Sequence, residues 1–488
     1  MTEQYRVPSR RDALDSIREQ IVGLSLQVPL LDGTTRQQIS LDNSASTPVL
    51  RPVLEAVNAF VPWYSSVHRG AGYKSRVATQ AYEEARALVG RFFGARSDQH
   101  VVIFGKNTTE AINKLTRRIP FQPGDVVLCS MMEHHSNDLP WRSVAEVARI
   151  GLDPLGRVNE EHYAALLRQF AGRVRLVALS GASNVTGAMA PIHRFAAQAH
   201  AAGAEIFVDC AQLAPHRAID IGDLSDPGHL DYIALSAHKL YAPFGTGALI
   251  GRRDTFTQGT PDMVGGGMVE MVTAAEVNWA PPPAREEAGS PNVVGAVALA
   301  AALTTLSAIG MDRIAAHEMA LTTYALRRLA EIPGLRLYGD SDPTAVAQRL
   351  GVVPFTIAGV SHFLVSVILS SEFGIEVRNG MLCAQPYLRH VLDLTPEDVA
   401  RFQAAMRAGD RCALPGLVRA SFGLYNTTQE IDALANALSV IARGAYRGQY
   451  AQDPATGAFH AQGWQPDLSA SFTLCAHAPE AVFAGSRA

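Results

Sequence analysis

Cysteine is scarce in this chain of 488 residues: Cys129, Cys210, Cys383, Cys412 and Cys475 are odd in number, widely spaced and form no CxxC pair. That argues against a disulfide framework and against a cysteine-based metal site, so no metal is expected. Charge of one sign is not in excess either. Lys plus Arg number 42 and Asp plus Glu 46, a formal net charge of −4, and doublets such as Arg10-Arg11 and Arg327-Arg328 are scattered. No nucleic-acid partner is expected from that pattern. The first twenty residues, MTEQYRVPSRRDALDSIREQ, contain no apolar core of a secretory signal. The longest apolar stretch, Val293–Met311, is rich in alanine and interrupted by hydroxyls, which reads as a buried helix rather than a membrane span. With 48% hydrophobic and 18% charged residues, the expectation is a soluble, cytoplasmic, enzyme-sized protein.

The length prior of roughly 100–200 residues per domain allows two to four domains. Between residues 99 and 251, short apolar runs alternate with helical patterns. The runs are VVIF (101–104), DVVLC (125–129), VRLVAL (174–179), EIFVD (205–209), DYIAL (231–235) and GALIG (247–251). This alternation predicts an α/β fold with a largely parallel sheet covered on both faces. In such sheets ligands bind beyond the carboxyl ends of the strands. A Pro-rich break at 280–286 precedes the alanine-rich helix. A smaller α/β unit is predicted after it, with a strand at 354–359, a helix at His362–Phe373, a strand at 418–425 and a capping box at Thr427–Glu430. Residues 446–488 read as an ordered wrap or a partly disordered tail.

The strand-end loops carry the chemistry. Thr108 and Thr109 follow VVIF at a helix start, a place for a phosphate, although threonine is more often a plain N-cap there. His134 and His135 follow DVVLC; adjacent side chains cannot share one face, so one is expected to meet a ligand and the other backbone. Asn184 follows VRLVAL as a neutral donor or as the head of an Asx-turn. Asp209 ends EIFVD, where a buried carboxylate demands a cationic partner. Ser236, His238 and Lys239 follow DYIAL inside a Gly-bounded turn. An interior lysine, a strand-end aspartate and a phosphate cradle on one sheet edge are what pyridoxal 5'-phosphate requires.

The motifs LDNSASTP (41–48), SVHRG (66–70), NTTEAIN (107–113), MEHHSNDLPW (132–141), SNVTG (183–187), VDCAQ (208–212), LSAHKLYAPFGTG (235–247), AGSPN (288–292), VRNGMLCAQP (377–386) and VRASFGLYN (418–426) resemble the class V, fold-type I pyridoxal-phosphate enzymes. Within that group the chain is similar to the Suf-associated cysteine desulfurases and selenocysteine lyases. The resemblance implies a mostly parallel sheet of seven-stranded type in a large domain at 41–305. It also implies a small domain built from 1–40 and 306–445; residues 446–488 lie beyond the resemblance and are expected to form a C-terminal extension. It makes Lys239 the Schiff-base lysine, Asp209 the partner of the ring nitrogen, Gln212 the contact of the phenolic oxygen and His134 the residue stacked on the ring. Thr108, Thr109, Ser236 and His238 would bind the phosphate, with Ser290 reaching in from a partner subunit of a homodimer. Asn184 and Arg419 would grip the carboxylate of a small amino-acid substrate, with Arg378 beside them. Cys383 would be the nucleophile that takes sulfur from L-cysteine, leaving L-alanine and a persulfide for an acceptor protein.

Two stretches depart from the Suf-type pattern. Met381-Leu382 stand where two histidines are common, and Gly70–Ser75 differs from the usual His-Thr loop. Apolar residues neither relay protons nor stabilise a thiolate. A second reading therefore stays open: a C–S lyase, aminotransferase or epimerase of the same class in which Cys383 is not the nucleophile. A non-catalytic binding protein is the third, and the presence of Lys239, Asp209 and Arg419 speaks against it.

Overall fold

The computed structural model describes residues 17–68 and 70–474. Arg10-Arg11, Arg69 of the SVHRG motif and Cys475 lie outside the described residues. Seven strands form the central sheet: β1 (His100–Gly105), β2 (Val126–Ser130), β3 (Glu146–Ile150), β4 (Val174–Ser180), β5 (Glu205–Asp209), β6 (Tyr232–Ser236) and β7 (Gly247–Arg252). Their order is β1-β7-β6-β5-β4-β2-β3. Only β7 runs antiparallel to its neighbours, so the sheet is mostly parallel as predicted.

Six of the seven strands coincide with the apolar runs to within about two residues at either end. DVVLC and DYIAL each lose their first residue, because both aspartate side chains are taken up by backbone amides outside their own strands. Asp125 Oδ2 accepts from Gln122 N at 2.7 Å, and Asp231 Oδ2 accepts from Ile206 N at 2.8 Å. The seventh strand, β3, is an edge strand of mixed sequence (EVARI), largely half-buried, and offers no apolar run to detect.

Alternate residues of each inner strand feed opposite faces. Val102 and Phe104, Val126 and Leu128, and Ile206 and Val208 lie on one side, in a core shared with helices 51–60, 73–92, 192–201 and 293–309. Val101 and Ile103, Val127 and Cys129, and Phe207 pack on the other, with Ile112, Leu115 and Trp141. Both faces are dry, which is why these strands read as unbroken apolar runs.

A second core surrounds a four-stranded antiparallel sheet of β8 (Leu335–Leu337), β9 (Val352–Ile357), β10 (Arg378–Gly380) and β11 (Leu417–Ser421), ordered β8-β9-β11-β10. The predicted helix His362–Phe373 and the capping box of Thr427 with Glu430 are both present. The predicted strand at 418–425 ends early, at Ser421. Beyond it Tyr425 turns inward, its hydroxyl donating to Asn43 Oδ1 at 2.8 Å.

The alanine-rich segment forms the buried helix Val293–Ile309. Gly310, with φ +97°, breaks it from helix Met311–Ala330 at an angle of 76°. Among the described residues no single helix is long and apolar enough to cross a membrane.

Candidate active site

The carboxyl ends of β1, β2, β4, β5 and β6 open into one cleft of about 370 Å³. Thr108, Thr109, His134, Asn184, Asp209, Gln212, Ser236, His238, Lys239, Arg378, Cys383 and Arg419 all line it. Ser290 does not. It lies exposed beside a separate cavity with Tyr64, Ser66 and Glu287.

The phosphate-type cradle begins at Asn107, whose side chain caps the helix Thr108–Arg118 by accepting from Glu110 N at 3.0 Å. Thr108 is tied to β6: its amide donates to Ser236 Oγ at 2.9 Å and the two hydroxyls lie 2.8 Å apart. Thr109 Oγ1 meets Ser136 Oγ at 2.7 Å. This placement depends on Gly247, the first residue of β7. A Cβ there would stand 2.7 Å from Asn107 Cα and 2.5 Å from Leu235 O.

Asp209 ends β5 buried, accepting Ala211 N at 2.9 Å. Burial raises its carboxyl pKa, an effect opposed by that amide and by the Lys239 ammonium. No described side chain forms an ion pair with it within 4.0 Å, so the cation it demands is left to a ligand. Lys239 sits half-buried in the 3-10 turn after β6. Burial brings its pKa down to about 8; Asp209 pulls the other way and Arg419 adds to the fall.

Burial, reinforced by Lys239, takes both His134 and His238 down to about 4, so both are neutral near pH 7. His134 Nδ1 accepts from Ser136 N at 3.1 Å, leaving the ring's other nitrogen protonated. The adjacent histidines divide as the sequence suggested. His134 lines the cleft, while His135 binds backbone: its amide donates to Cys383 O at 2.8 Å and its Nε2 accepts Gln385 N at 3.2 Å.

These bonds hold a strained turn. Leu382 and Cys383 are consecutive non-glycine residues in the left-handed region, with φ +50° and +52°. Asn184 Nδ2 donates to Leu382 O at 2.7 Å, a third restraint. The Cys383 thiol is exposed to the cleft, while Leu382 is buried.

Arg419 is buried, donating to Asn184 O at 2.8 Å and to Asp42 Oδ1 at 2.7 Å. Its Nε has no partner. Arg378 reaches the other oxygen of Asp42 at 2.9 Å. Asp42 therefore fixes both guanidinium groups, and its place in the LDNSASTP motif was the only signal for it in the sequence. Glu133 was missed as well. It is buried beneath the cleft, where burial raises it to about 7 against hydrogen bonds from Ser130, Ser180 and Asn137.

These donors fit pyridoxal phosphate. The buried, unpaired Asp209 suits a pyridinium nitrogen, the Thr108–Ser236 cradle suits a phosphate, and a lysine of lowered pKa lines the same cleft. Two atoms of the cleft walls, Ser44 Oγ and Arg419 Nε, are buried without partners, as expected of polar groups placed for a ligand.

The sequence pattern of the family described as aminotransferase class-V matches residues 39–434. The chain belongs to that family. Class V aminotransferases and cysteine desulfurases use pyridoxal phosphate, in agreement with the donor set. A class V relative named cysteine desulfurase, from Dickeya dadantii (strain 3937), is 38% identical over 413 residues, 83% of this chain and 92% of the relative. The apo structure of a cysteine desulfurase from Thermococcus onnurineus NA1 is similar with a TM-score of 0.75 at 28% identity, covering 90% of this chain and 99% of that one. The cysteine desulfurase CsdA from Escherichia coli gives 0.72 at 30% identity, covering 89% and 99%.

Proposed function

We propose that the protein is a pyridoxal-phosphate-dependent cysteine desulfurase that converts L-cysteine to L-alanine and leaves the sulfur as a persulfide on Cys383. The observation that carries this reading is the convergence of Lys239, Arg419 and the exposed Cys383 thiol on one cleft. Bound pyridoxal phosphate would supply an electron sink for the carbanion formed when the substrate loses its α-proton. Lys239 would hold the group. Once displaced, its amine, with a pKa of about 8, is suited to move that proton near neutrality. Asp209 would pair with the ring nitrogen, Gln212 with the phenolic oxygen, and neutral His134 would stack on the ring. Thr108, Thr109, Ser236 and His238 would hold the phosphate.

Asn184 and the free Nε of Arg419 would take the substrate carboxylate, with Arg378 at its edge. The Cys383 thiolate then attacks the substrate sulfur. A sulfur–sulfur bond forms as the carbon–sulfur bond breaks, and the electron pair of the broken bond stays with the carbon skeleton that leaves as alanine. Met381 and Leu382, beside the thiol, are apolar and take no part in proton transfer.

The reading extends to the whole protein. We place a large domain at 41–305, a small one at 1–40 with 306–445 and an extension at 446–488; a second core drawn mainly from residues 321–441 supports the small domain, although the first core also takes in Ile17, Ile21 and several residues between 306 and 425. A homodimer is supported by Ser290, which stands outside its own cleft, and by exposed Trp63, Tyr64, Tyr73, Met271 and Val272. The persulfide implies a sulfur-acceptor protein, and the cytoplasm would keep the thiol reduced.

The deciding experiment is Cys383→Ala. The variant is expected to keep the visible absorbance of the bound cofactor and to lose sulfide and alanine release from cysteine plus reductant by at least ~100-fold. Unchanged release would discard the persulfide mechanism in favour of another class V reaction.

A further inference from the structure

The turn that follows His134 carries a side chain to which no role has been given. Ser136 lies in the 3-10 turn His135–Asn137 after β2 and lines the cleft. Its hydroxyl stands between two members of the site. Oγ is 2.7 Å from Thr109 Oγ1, at the start of helix Thr108–Arg118, and 3.1 Å from His134 Nδ1.

The hydrogens available decide which neighbour the hydroxyl serves. Nδ1 of a neutral imidazole has one lone pair to offer, and the Ser136 amide already donates to it at 3.1 Å. The backbone of the turn is held independently of the Ser136 side chain. Asn137 N donates to His134 O at 2.8 Å, and Asn137 Nδ2 donates to the buried Glu133 at 2.6 Å. Trp141 Nε1 in turn donates to Asn137 Oδ1 at 2.9 Å. His134 therefore has no need of the hydroxyl, and its proton is available to Thr109.

Thr109 does need it. The residue is exposed, and among the described residues Ser136 is the only partner of its hydroxyl. A threonine on a helix divides between two χ1 rotamers unless something selects one. The direction of the bond matters as well, because each hydroxyl has a single hydrogen. If Thr109 donated to Ser136, only its lone pairs would remain for the cleft, and they repel an anion. If Ser136 donates, the Thr109 hydrogen is free for a phosphate oxygen, a charge-assisted bond. The neighbouring threonine is supported in the same way: Thr108 Oγ1 lies 2.8 Å from Ser236 Oγ at the end of β6. Each threonine of the cradle thus has behind it a serine from another strand-end loop.

We propose that Ser136 is a positioning residue of the phosphate cradle. Its hydroxyl donates to Thr109 Oγ1 and selects the rotamer in which Thr109 presents its own hydrogen to the phosphate of pyridoxal phosphate. The inference rests on the phosphate role proposed for Thr109.

Pyridoxal, which lacks the phosphate, separates this role from general support of the turn. The measurement is the dissociation constant of pyridoxal phosphate and of pyridoxal for the full-length protein freed of cofactor, read by absorbance. Wild type, Ser136→Ala, Thr109→Val and the double variant are compared. Ser136→Ala is expected to weaken pyridoxal phosphate about three- to tenfold and to leave pyridoxal within about twofold, the loss of one hydrogen bond. Thr109→Val should weaken pyridoxal phosphate at least as much. The double variant should be no weaker than Thr109→Val alone, because the serine acts through the threonine. Equal losses for both ligands in Ser136→Ala, or a full additional loss in the double variant, would overturn the inference. Wild-type affinity in Ser136→Ala alone would overturn it while leaving the phosphate role of Thr109 in place; wild-type affinity in Thr109→Val would remove both. No cysteine enters the measurement, so the desulfurase activity is decided separately by Cys383→Ala.

Discussion

Lys239 stands between opposing influences, and their balance sets its reactivity. Desolvation favours the neutral amine and Asp209 favours the ammonium; desolvation prevails, at about 8 against the ordinary lysine value near 10.4. Below that pH the amine is protonated and cannot add to an aldehyde. The rate at which cofactor-free protein takes up pyridoxal phosphate should therefore rise with pH and reach half its maximum near pH 8, followed by the growth of visible absorbance. A midpoint near 10 would mean that the cleft does not desolvate the lysine. Lys239→Ala should show no covalent absorbance at any pH. The same logic applies to His134: in its proposed role a neutral ring would stack on the cofactor without placing a positive charge against a protonated pyridinium.

At the scale of elements, the reversed strand β7 does more than complete the sheet. It pairs Gly247 with Gly105 at the end of β1 and with Ser236 at the end of β6, joining the two loops that form the cradle. The missing side chain at Gly247 lets Asn107 approach. Gly247→Ala would force Asn107 and Leu235 apart, since their backbone atoms cannot yield as a flexible side chain would. The expected result is at least tenfold weaker retention of pyridoxal phosphate, measured by dialysis and absorbance, in a protein that still folds. Retention equal to wild type would show that the cradle does not depend on this approach.

For the whole molecule, the extension after Ala445 is an ordered wrap as far as Leu474. Tyr446 and Tyr450 pack on the second core, Tyr450 donates to Glu372 at 2.8 Å, and Arg447 pairs with Asp32 at 2.9 Å. Gln452 reaches Cys412 O at 3.0 Å. These contacts join the turn at Asp32, helix 362–373 and the loop at 411–412, and none of them touches the cleft. Truncation after Ala445 should lower the thermal midpoint by several degrees while leaving cofactor absorbance intact; loss of the cofactor would mean that the wrap supports the cleft. Much of this molecule was legible beforehand. Strands buried on both faces must be apolar throughout, so six of seven were visible, and chemistry in a parallel sheet must gather at the carboxyl ends, so the loops to inspect were known. The edge strand β3 left no such trace, because half-exposed positions place little demand on composition. Sequence alone fixed which chemical groups stand at the strand ends, since their type and order follow from local chain direction. Only the tertiary structure decided that Asp42 joins Arg378 to Arg419, that His135 and Asn184 hold the Cys383 turn, and that Ser290 lies outside its own cleft. Those are contacts between residues remote in the chain or separated by a turn, and their distances are set by how the two cores and the sheet pack, which no local spacing encodes.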